Sequence, residues 1–98
     1  MPRYILKKAT SKNKKWMVIT PDDKVIQFGA EGMSDYTINK DPKRKEAYLS
    51  RHRANENWND LKSAGAWSRW LLWNEPSLTK SIKDMEQRFK IDIIKSSK

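Results

Sequence analysis

The chain has 98 residues and a formal net charge of +9, from 21 lysines and arginines against 12 aspartates and glutamates, with one histidine and no cysteine. This length predicts one small domain. Without cysteine, a disulfide scaffold, a thiol nucleophile, an iron–sulfur site and an ordinary zinc finger are excluded, and one histidine cannot form a histidine-based metal cluster. We therefore expect no cofactor and no metal.

Three strands are predicted in the first third of the chain. Residues 4–9, 16–20 and 24–28 are short runs of aromatic and β-branched residues, which favour strands. Pro21 and the two aspartates after it predict a tight turn, so the second and third strands should form a hairpin. The three runs predict an antiparallel β-meander, which needs other elements packed on one face.

Three helices are predicted after these strands. Asp41 and Pro42 are typical of an N-cap and a first helical position, which predicts a helix over residues 42–57. The spacing of tryptophan and leucine predicts a second helix over residues 64–73. A third helix, capped by Ser77, has apolar residues in a 4-3-4 spacing. These residues are Leu78, Ile82, Met85 and Phe89.

Strands followed by helices predict an α+β domain, with the three helices on one face of the three-stranded sheet. The predicted domain covers residues 1–94, and residues 95–98 are predicted to form a frayed basic tail. No segment is apolar enough for a signal peptide or a membrane span, so we expect a protein without a transmembrane segment that is not secreted.

Residues 66–73 form the most distinctive segment, since they contain three of the five tryptophans. Aromatic faces beside an arginine can stack on nucleic-acid bases. A chain with only 37% hydrophobic residues, however, needs its rings in the core. Their three-residue spacing places Trp67 and Trp70 on one helix face, and we assign both to the core. Trp73 points elsewhere and, with Trp16 and Trp58, is a candidate contact to a partner.

Two clusters of cations are the main candidates for binding. The first cluster contains no acid, whereas a surface that only solubilises a protein usually mixes both signs of charge. We predict that both clusters bind a polyanion or an acidic protein surface, and a merely solvated surface is the alternative. The candidates are Lys7, Lys8, Lys12, Lys14 and Lys15 in the first cluster and Lys43, Arg44, Lys45, Arg51 and Arg53 in the second.

No arrangement of residues indicates catalysis. His52 lies between two arginines in a string similar to part of a His-Asn-His nuclease, but such a site requires further histidines. The pairs Asp22/Asp23 and Asp84/Glu86 are explained as turn and helix-surface charges. We predict that the protein is not an enzyme and has no catalytic residue.

Several segments together resemble those of a known family. They are Phe28-Gly29-Ala30 with Ser34-Asp35-Tyr36-Thr37, Lys40-Asp41-Pro42-Lys43-Arg44-Lys45, Arg51-His52-Arg53, Glu56-Asn57-Trp58 and Ala64-Gly65-Ala66-Trp67-Ser68-Arg69-Trp70-Leu71-Leu72-Trp73-Asn74. This pattern, over about residues 4–89, resembles a family of small basic proteins encoded by nucleocytoplasmic large DNA viruses. The resemblance implies a virus-encoded protein and assigns no residue a catalytic or binding role.

Two functions follow from these observations. The first is a structural virion component of the minor capsid or core type, which binds larger viral subunits or an acidic surface. The second is an accessory protein that binds DNA or RNA through its cations and stacks tryptophans on bases. The expected location is the virion for a viral protein, and otherwise the host cytoplasm or nucleus. A nucleic-acid binder should spread its cations over one continuous face, whereas a structural subunit should place them around apolar contacts.

Overall fold

The computed structural model describes residues 1–96 and shows an α+β fold. The strands are β1 (Arg3–Lys8), β2 (Lys14–Ile19), β3 (Val25–Ala30) and β4 (Asp92–Lys95). The helices are α1 (Tyr36–Asn39), α2 (Pro42–His52), α3 (Ala64–Trp67) and α4 (Leu78–Phe89), and α3 continues directly into a π-helical turn (Ser68–Leu72). The predicted α+β class is confirmed.

The sheet has four strands in the order β3-β2-β1-β4, so the predicted three-stranded antiparallel meander is wrong. The β2–β3 hairpin is present, but β4 adds to the free edge of β1 in the parallel direction. Lys90 ends α4 in the left-handed conformation, with a φ of 54°, and turns the chain towards that edge. The N–H of Asp92 then donates to the Pro2 carbonyl at 2.8 Å, and Ile93 is buried. Burial of Ile93 and backbone pairing therefore stabilise a strand that has no local turn signal.

Lys95 belongs to β4, and the N–H of Ser96 donates to the Leu6 carbonyl at 2.8 Å. The basic tail predicted from Lys95 onward therefore begins with two residues held at the sheet edge, because these residues continue the parallel ladder. The remainder of the predicted tail, residues 97–98, lies outside the described residues.

The helices differ from the prediction in number and length. The cap assigned to Asp41 is confirmed, because its side chain accepts a hydrogen bond from the Lys43 N–H, but α2 ends at His52 rather than at residue 57. The predicted second helix changes to a π-helical turn at Ser68. Asp35 caps the additional short helix α1. The third predicted helix is confirmed as α4, with Ser77 as its N-cap.

The core lies between one face of the sheet and the helices α3 and α4. Trp67 is at its centre with no exposed surface, and its ring centroid lies 5.4 Å from that of Tyr4 and 6.0 Å from that of Phe28. Its indole N–H donates to the Leu61 carbonyl at 2.9 Å, so the one polar group of the ring is paired. The core assignment of Trp67 is confirmed. The other fully or nearly fully buried apolar residues of this cluster are Leu6, Val18, Leu71, Leu72, Met85, Ile91 and Ile93.

Gly29 lets the π-helical turn approach β3 closely. It has a positive φ of 78°, and a Cβ at this position would lie 2.8 Å from Leu72 Cδ1. Only glycine accommodates both the backbone conformation and the contact without a shift of its neighbours.

The opposite face of the sheet carries a second apolar feature. Val25 pairs with Ile19, Ile19 pairs with Ile5, and Ile5 pairs with Ile94, so four β-branched side chains stand side by side across all four strands. We call these four residues the aliphatic row. Directly paired residues share a face, and this face alternates with the one that carries Leu6 in the core. Within residues 1–96, no helix is long and apolar enough to cross a membrane.

Candidate functional site

Members of both predicted cation clusters line one cleft between the sheet and α2. The cavity has a volume of about 350 Å³, within the usual range for binding pockets. Lys14 and Lys15 line it from β2, and Arg51 and His52 line it from the last turn of α2. β2 and α2 thus bring together cations that are more than thirty residues apart in sequence.

Inside the cleft, Lys15 is neutralised by an acid. Its Nζ lies 2.6 Å from Asp35 Oδ2, and the two side chains are 14% and 3% exposed. Asp35 Oδ1 also accepts a hydrogen bond from the Thr37 N–H at 2.9 Å, which caps α1. Because its charge is already paired, Lys15 positions the loop before α1 against β2 and offers little attraction to an external anion.

Three stacked rings form the wall of the cleft on the side of α2. The Tyr48 ring lies 4.6 Å from Trp73 in a parallel arrangement and 4.3 Å from His52, centroid to centroid. Burial raises the pKa of the Tyr48 phenol far above its usual value, and the charge of Glu56 raises it further, against the opposing effect of nearby arginines. The buried Tyr48 ring therefore packs between Trp73 and His52.

Glu56 fixes the segment between α2 and α3. Its carboxylate lies 3.4 Å from His52 Nδ1 and accepts the indole N–H of Trp58 at 2.8 Å. A Cβ on Gly65 would lie 2.8 Å from the Glu56 carboxyl carbon, so the glycine gives this carboxylate its place against α3. The prediction that this helix runs to residue 57 is therefore wrong, since Glu56 lies beyond the end of α2 and packs against Gly65 of α3.

The remaining cations differ in how freely they can be approached. Most of the predicted binding residues are exposed: Lys8, Lys12, Lys14, Lys43, Arg44, Arg51 and Arg53. Lys45 is instead half-buried, and its Nζ donates to the Asn74 carbonyl at 2.7 Å beside the Tyr36 ring. Lys7 is half-buried on the sheet face that carries the aliphatic row, where it pairs with Met17. The exposed cations thus occupy the β1–β2 loop, α2 and the rim of the cleft.

The three candidate aromatic contacts all have partners within the protein. Trp16 packs against the core, with Lys95 Nζ 5.7 Å from its ring centroid. Trp58 is half-buried and donates to Glu56, and Trp73 is stacked on Tyr48. One face of the Trp73 ring is therefore covered by Tyr48, and contact with a partner stays a prediction for each of the three tryptophans.

A stack of two arginines on Trp70 was not identified by the sequence analysis. Arg69 and Arg88 lie 4.2 Å and 4.1 Å from the ring centroid of Trp70. The Trp70 indole N–H donates to the Trp58 carbonyl at 2.6 Å, and the half-buried ring packs against the core. Burial and the neighbouring charge of Arg88 lower the pKa of Arg69, whose buried Nε has no hydrogen-bond partner within the described residues. The sequence shows that Arg69 is next to Trp70, whereas Arg88 reaches the Trp70 ring only because α4 packs beside it.

Two titratable pairs of the cleft are made within the protein itself. His52 is paired with Glu56, and Asp35 is paired with Lys15. Among residues 1–96, no group of three or more histidines or acids is placed to hold a metal ion. What the arrangement can do is attract acidic groups to its exposed rim and place them beside a partly apolar cavity.

A model of a family described as "Family of unknown function (DUF5754)" matches residues 4–52, which is half of the chain. The chain belongs to this family. The matched segment runs from β1 to the end of α2 and therefore contains both cation clusters except Arg53. No curated protein and no solved structure gives a match.

Proposed function

For this member of a family of unknown function, we propose a non-enzymatic structural role, in which its exposed cations bind the acidic surface of a larger protein. The partner would be a subunit of a virus particle, as the resemblance to proteins of large DNA viruses implies. The protein would then act in the virion or, during assembly, in the host cytoplasm or nucleus.

The convergence of Lys14 and Arg51 at the rim of one cleft carries the proposal. Both side chains are exposed, whereas Lys15 and His52 deeper in the cleft face acids of the protein itself. A partner with carboxylates on its surface would meet the free cations first and could place one of its own side chains in the cavity. Charge complementarity of this kind steers association and fixes the register of two proteins.

Binding of nucleic acid is the competing function, since the same cations could contact phosphates. The engagement of the tryptophans favours the protein partner. Tyr48 covers one face of the Trp73 ring, and the Arg69 guanidinium lies 5.3 Å from the Trp58 ring centroid, so each ring has lost part of the surface on which a base would stack. Single-strand binders usually depend on aromatic rings that are free to stack.

The two functions are distinguished by titrating the protein with poly-L-glutamate and with duplex and single-stranded DNA and RNA at salt concentrations of about 50–300 mM. The test variant is Lys14→Glu/Arg51→Glu. The control variant is Lys80→Glu/Lys83→Glu, which changes the net charge equally but alters exposed residues of α4. We expect the test variant to lose about tenfold in polyglutamate affinity and the control less than about threefold.

Equal losses in the two variants would mean that net charge alone causes binding, and would contradict the proposal. Micromolar or tighter binding of DNA or RNA that survives at about 150 mM salt and collapses in the test variant would support nucleic-acid binding instead. For a virus-encoded chain, mass spectrometry of purified particles should detect the protein, and its absence from them would contradict the virion role.

A further inference from the structure

The aliphatic row is a solvent-facing apolar surface that the core does not use. Val25 is 55% exposed and Ile94 is 45% exposed, at the two edge strands. Ile5 and Ile19, at the centre of the row, are half-buried by their neighbours in the sheet. None of the four packs against the buried cluster between the sheet and the helices. Singly exposed aliphatic residues are common on protein surfaces, but four in register across a whole sheet form a continuous strip.

The position of the row in the sheet gives it a defined shape and border. Three strand spacings separate its ends, so it is about 14 Å long. On one side lie Arg3 and Asp92, which are paired in register, and on the other side lies Lys7, paired with Met17. Met17 is only 8% exposed and fills the sheet surface beside the row. The strip is therefore narrow, with positive charge on both sides and one carboxylate at a corner.

Charge and area indicate what kind of molecule covers this strip. A second copy of the chain would bring another net charge of +9 to the same place, and like charges oppose such contact. Four side chains, two of them half-covered, also present much less than the roughly 800 Å² per partner that a stable dimer buries. A segment that carries acidic residues beside a short apolar stripe complements both the cations and the length of the row.

We propose that the aliphatic row is a docking surface for an amphipathic acidic segment of the partner protein, an inference that rests on the proposed function. About ten residues of helix span 15 Å, so two to three turns would cover the row. The apolar side chains of the segment pack on Val25, Ile19, Ile5 and Ile94, and its carboxylates approach Arg3 and Lys7. The partner then contacts two different surfaces, the cleft and the sheet face, which suits a protein that connects larger subunits.

The test uses the full chain with ¹³C-methyl-labelled isoleucine and a synthetic peptide of about 15 residues, with leucines at helical spacing and glutamates elsewhere. A scrambled peptide of the same composition is the first control. We expect the amphipathic peptide to shift the methyl signals of Ile5, Ile19 and Ile94 and to leave that of Ile82, on the other side of the sheet, unchanged. The scrambled peptide should bind more weakly and shift none of the four.

The matched variants are Val25→Thr/Ile94→Thr and Ile38→Thr. Threonine keeps the β-branched shape that strands favour, so the fold is retained while methyl groups are lost from the row. Ile38 is 61% exposed but lies in α1, outside the row. We expect the double variant to lose about tenfold in affinity for the amphipathic peptide and Ile38→Thr to bind like the wild type.

Each other outcome overturns the inference and separates it from the proposed function. If the two peptides bind equally and the row methyls do not shift, the row is not a docking surface, while polyglutamate binding at the cleft still stands. If neither peptide nor polyglutamate binds, both proposals fail. Methyl shifts with phosphatidylglycerol vesicles but not with the peptide would identify a lipid surface instead, and concentration-dependent dimerisation that shifts the row methyls would identify a second copy.

Discussion

Neighbouring cations in this protein have opposite environments, and Lys14 and Lys15 show the contrast most directly. Lys14 is exposed at the rim of the cleft, whereas Lys15 is held 2.6 Å from the almost fully buried Asp35. The same contrast separates Arg51, exposed on α2, from Arg69, which is half-buried against Trp70.

This difference shows that a net charge of +9 does not measure the charge available to a partner. The inner cations Lys15 and Arg69 contribute mainly to packing, by compensating a buried acid and by covering a ring. Only the outer cations, which are exposed as Lys14 and Arg51 are, can attract the charges of a partner. Two kinds of substitution test this difference between inner and outer cations. One removes the ring that an inner cation covers, and the other replaces one lysine of the adjacent pair Lys14 and Lys15.

The largest effect is expected when the Trp70 ring, which lies between Arg69 and Arg88, is removed. Trp70→Ala should lower the free energy of unfolding by about 3 kcal/mol, because a half-buried ring and its hydrogen bond to the Trp58 carbonyl are lost. Arg88→Ala removes one cation from the same ring and a surface pair with Asp84, and should cost about 0.5–1 kcal/mol. Urea unfolding followed by fluorescence measures both. Equal costs for the two variants would show that the ring does not stabilise the core.

A smaller effect is expected from the adjacent lysines of β2. Lys15→Met leaves the buried Asp35 carboxylate without its counter-charge and should lower the free energy of unfolding by about 2–3 kcal/mol. Lys14→Met is the matched control, and should change it by less than about 0.5 kcal/mol because the side chain is exposed. Thermal unfolding of the two variants at one pH and salt concentration provides the comparison. A Lys14 variant as unstable as the Lys15 variant would remove the distinction between inner and outer cations.

The smallest effect at neutral pH is expected for Tyr48→Phe. Burial, followed by the charge of Glu56, raises the pKa of Tyr48 in the folded protein, so the unfolded chain loses the phenol proton first. The phenol of Tyr48 makes its full contribution to the free energy of unfolding below the pKa of about 10 that it has in the unfolded chain. This contribution is lost as the pH rises through the pKa of the folded protein. Unfolding free energies measured between about pH 8 and 11 should therefore fall less steeply in Tyr48→Phe than in the wild type. Parallel pH profiles would contradict the burial of the phenol.

Local signals predicted the elements that local interactions determine. Ser77 caps α4, whose apolar residues follow a helical spacing, and Asp41 caps α2. The β2–β3 hairpin also follows from its turn residues. In each case a few residues close in sequence contain both the start signal and the pattern, so no distant contact is needed.

The elements that depend on distant contacts were not predictable in this way. β4 is only four residues long and becomes a strand through pairing with β1, and Glu56, predicted to lie in the helix that begins at Pro42, lies beyond α2 and against Gly65 of α3. The candidate site shows the same limit. The sequence identified the cation clusters, but Lys15 and Lys45 have partners at Asp35 and Asn74 that only the fold brings near.

The parallel pairing of β4 with β1 has a consequence for the synthesis of this protein. A ribosome releases β1 well before β4, since Ile5 and its partner Ile94 are far apart in sequence. During that interval β1 is an edge strand with unpaired backbone groups, the kind of surface that favours aggregation. The sheet can be completed only after β4 has been made, so folding that depends on this non-local pairing is expected to be slow for a protein of this size.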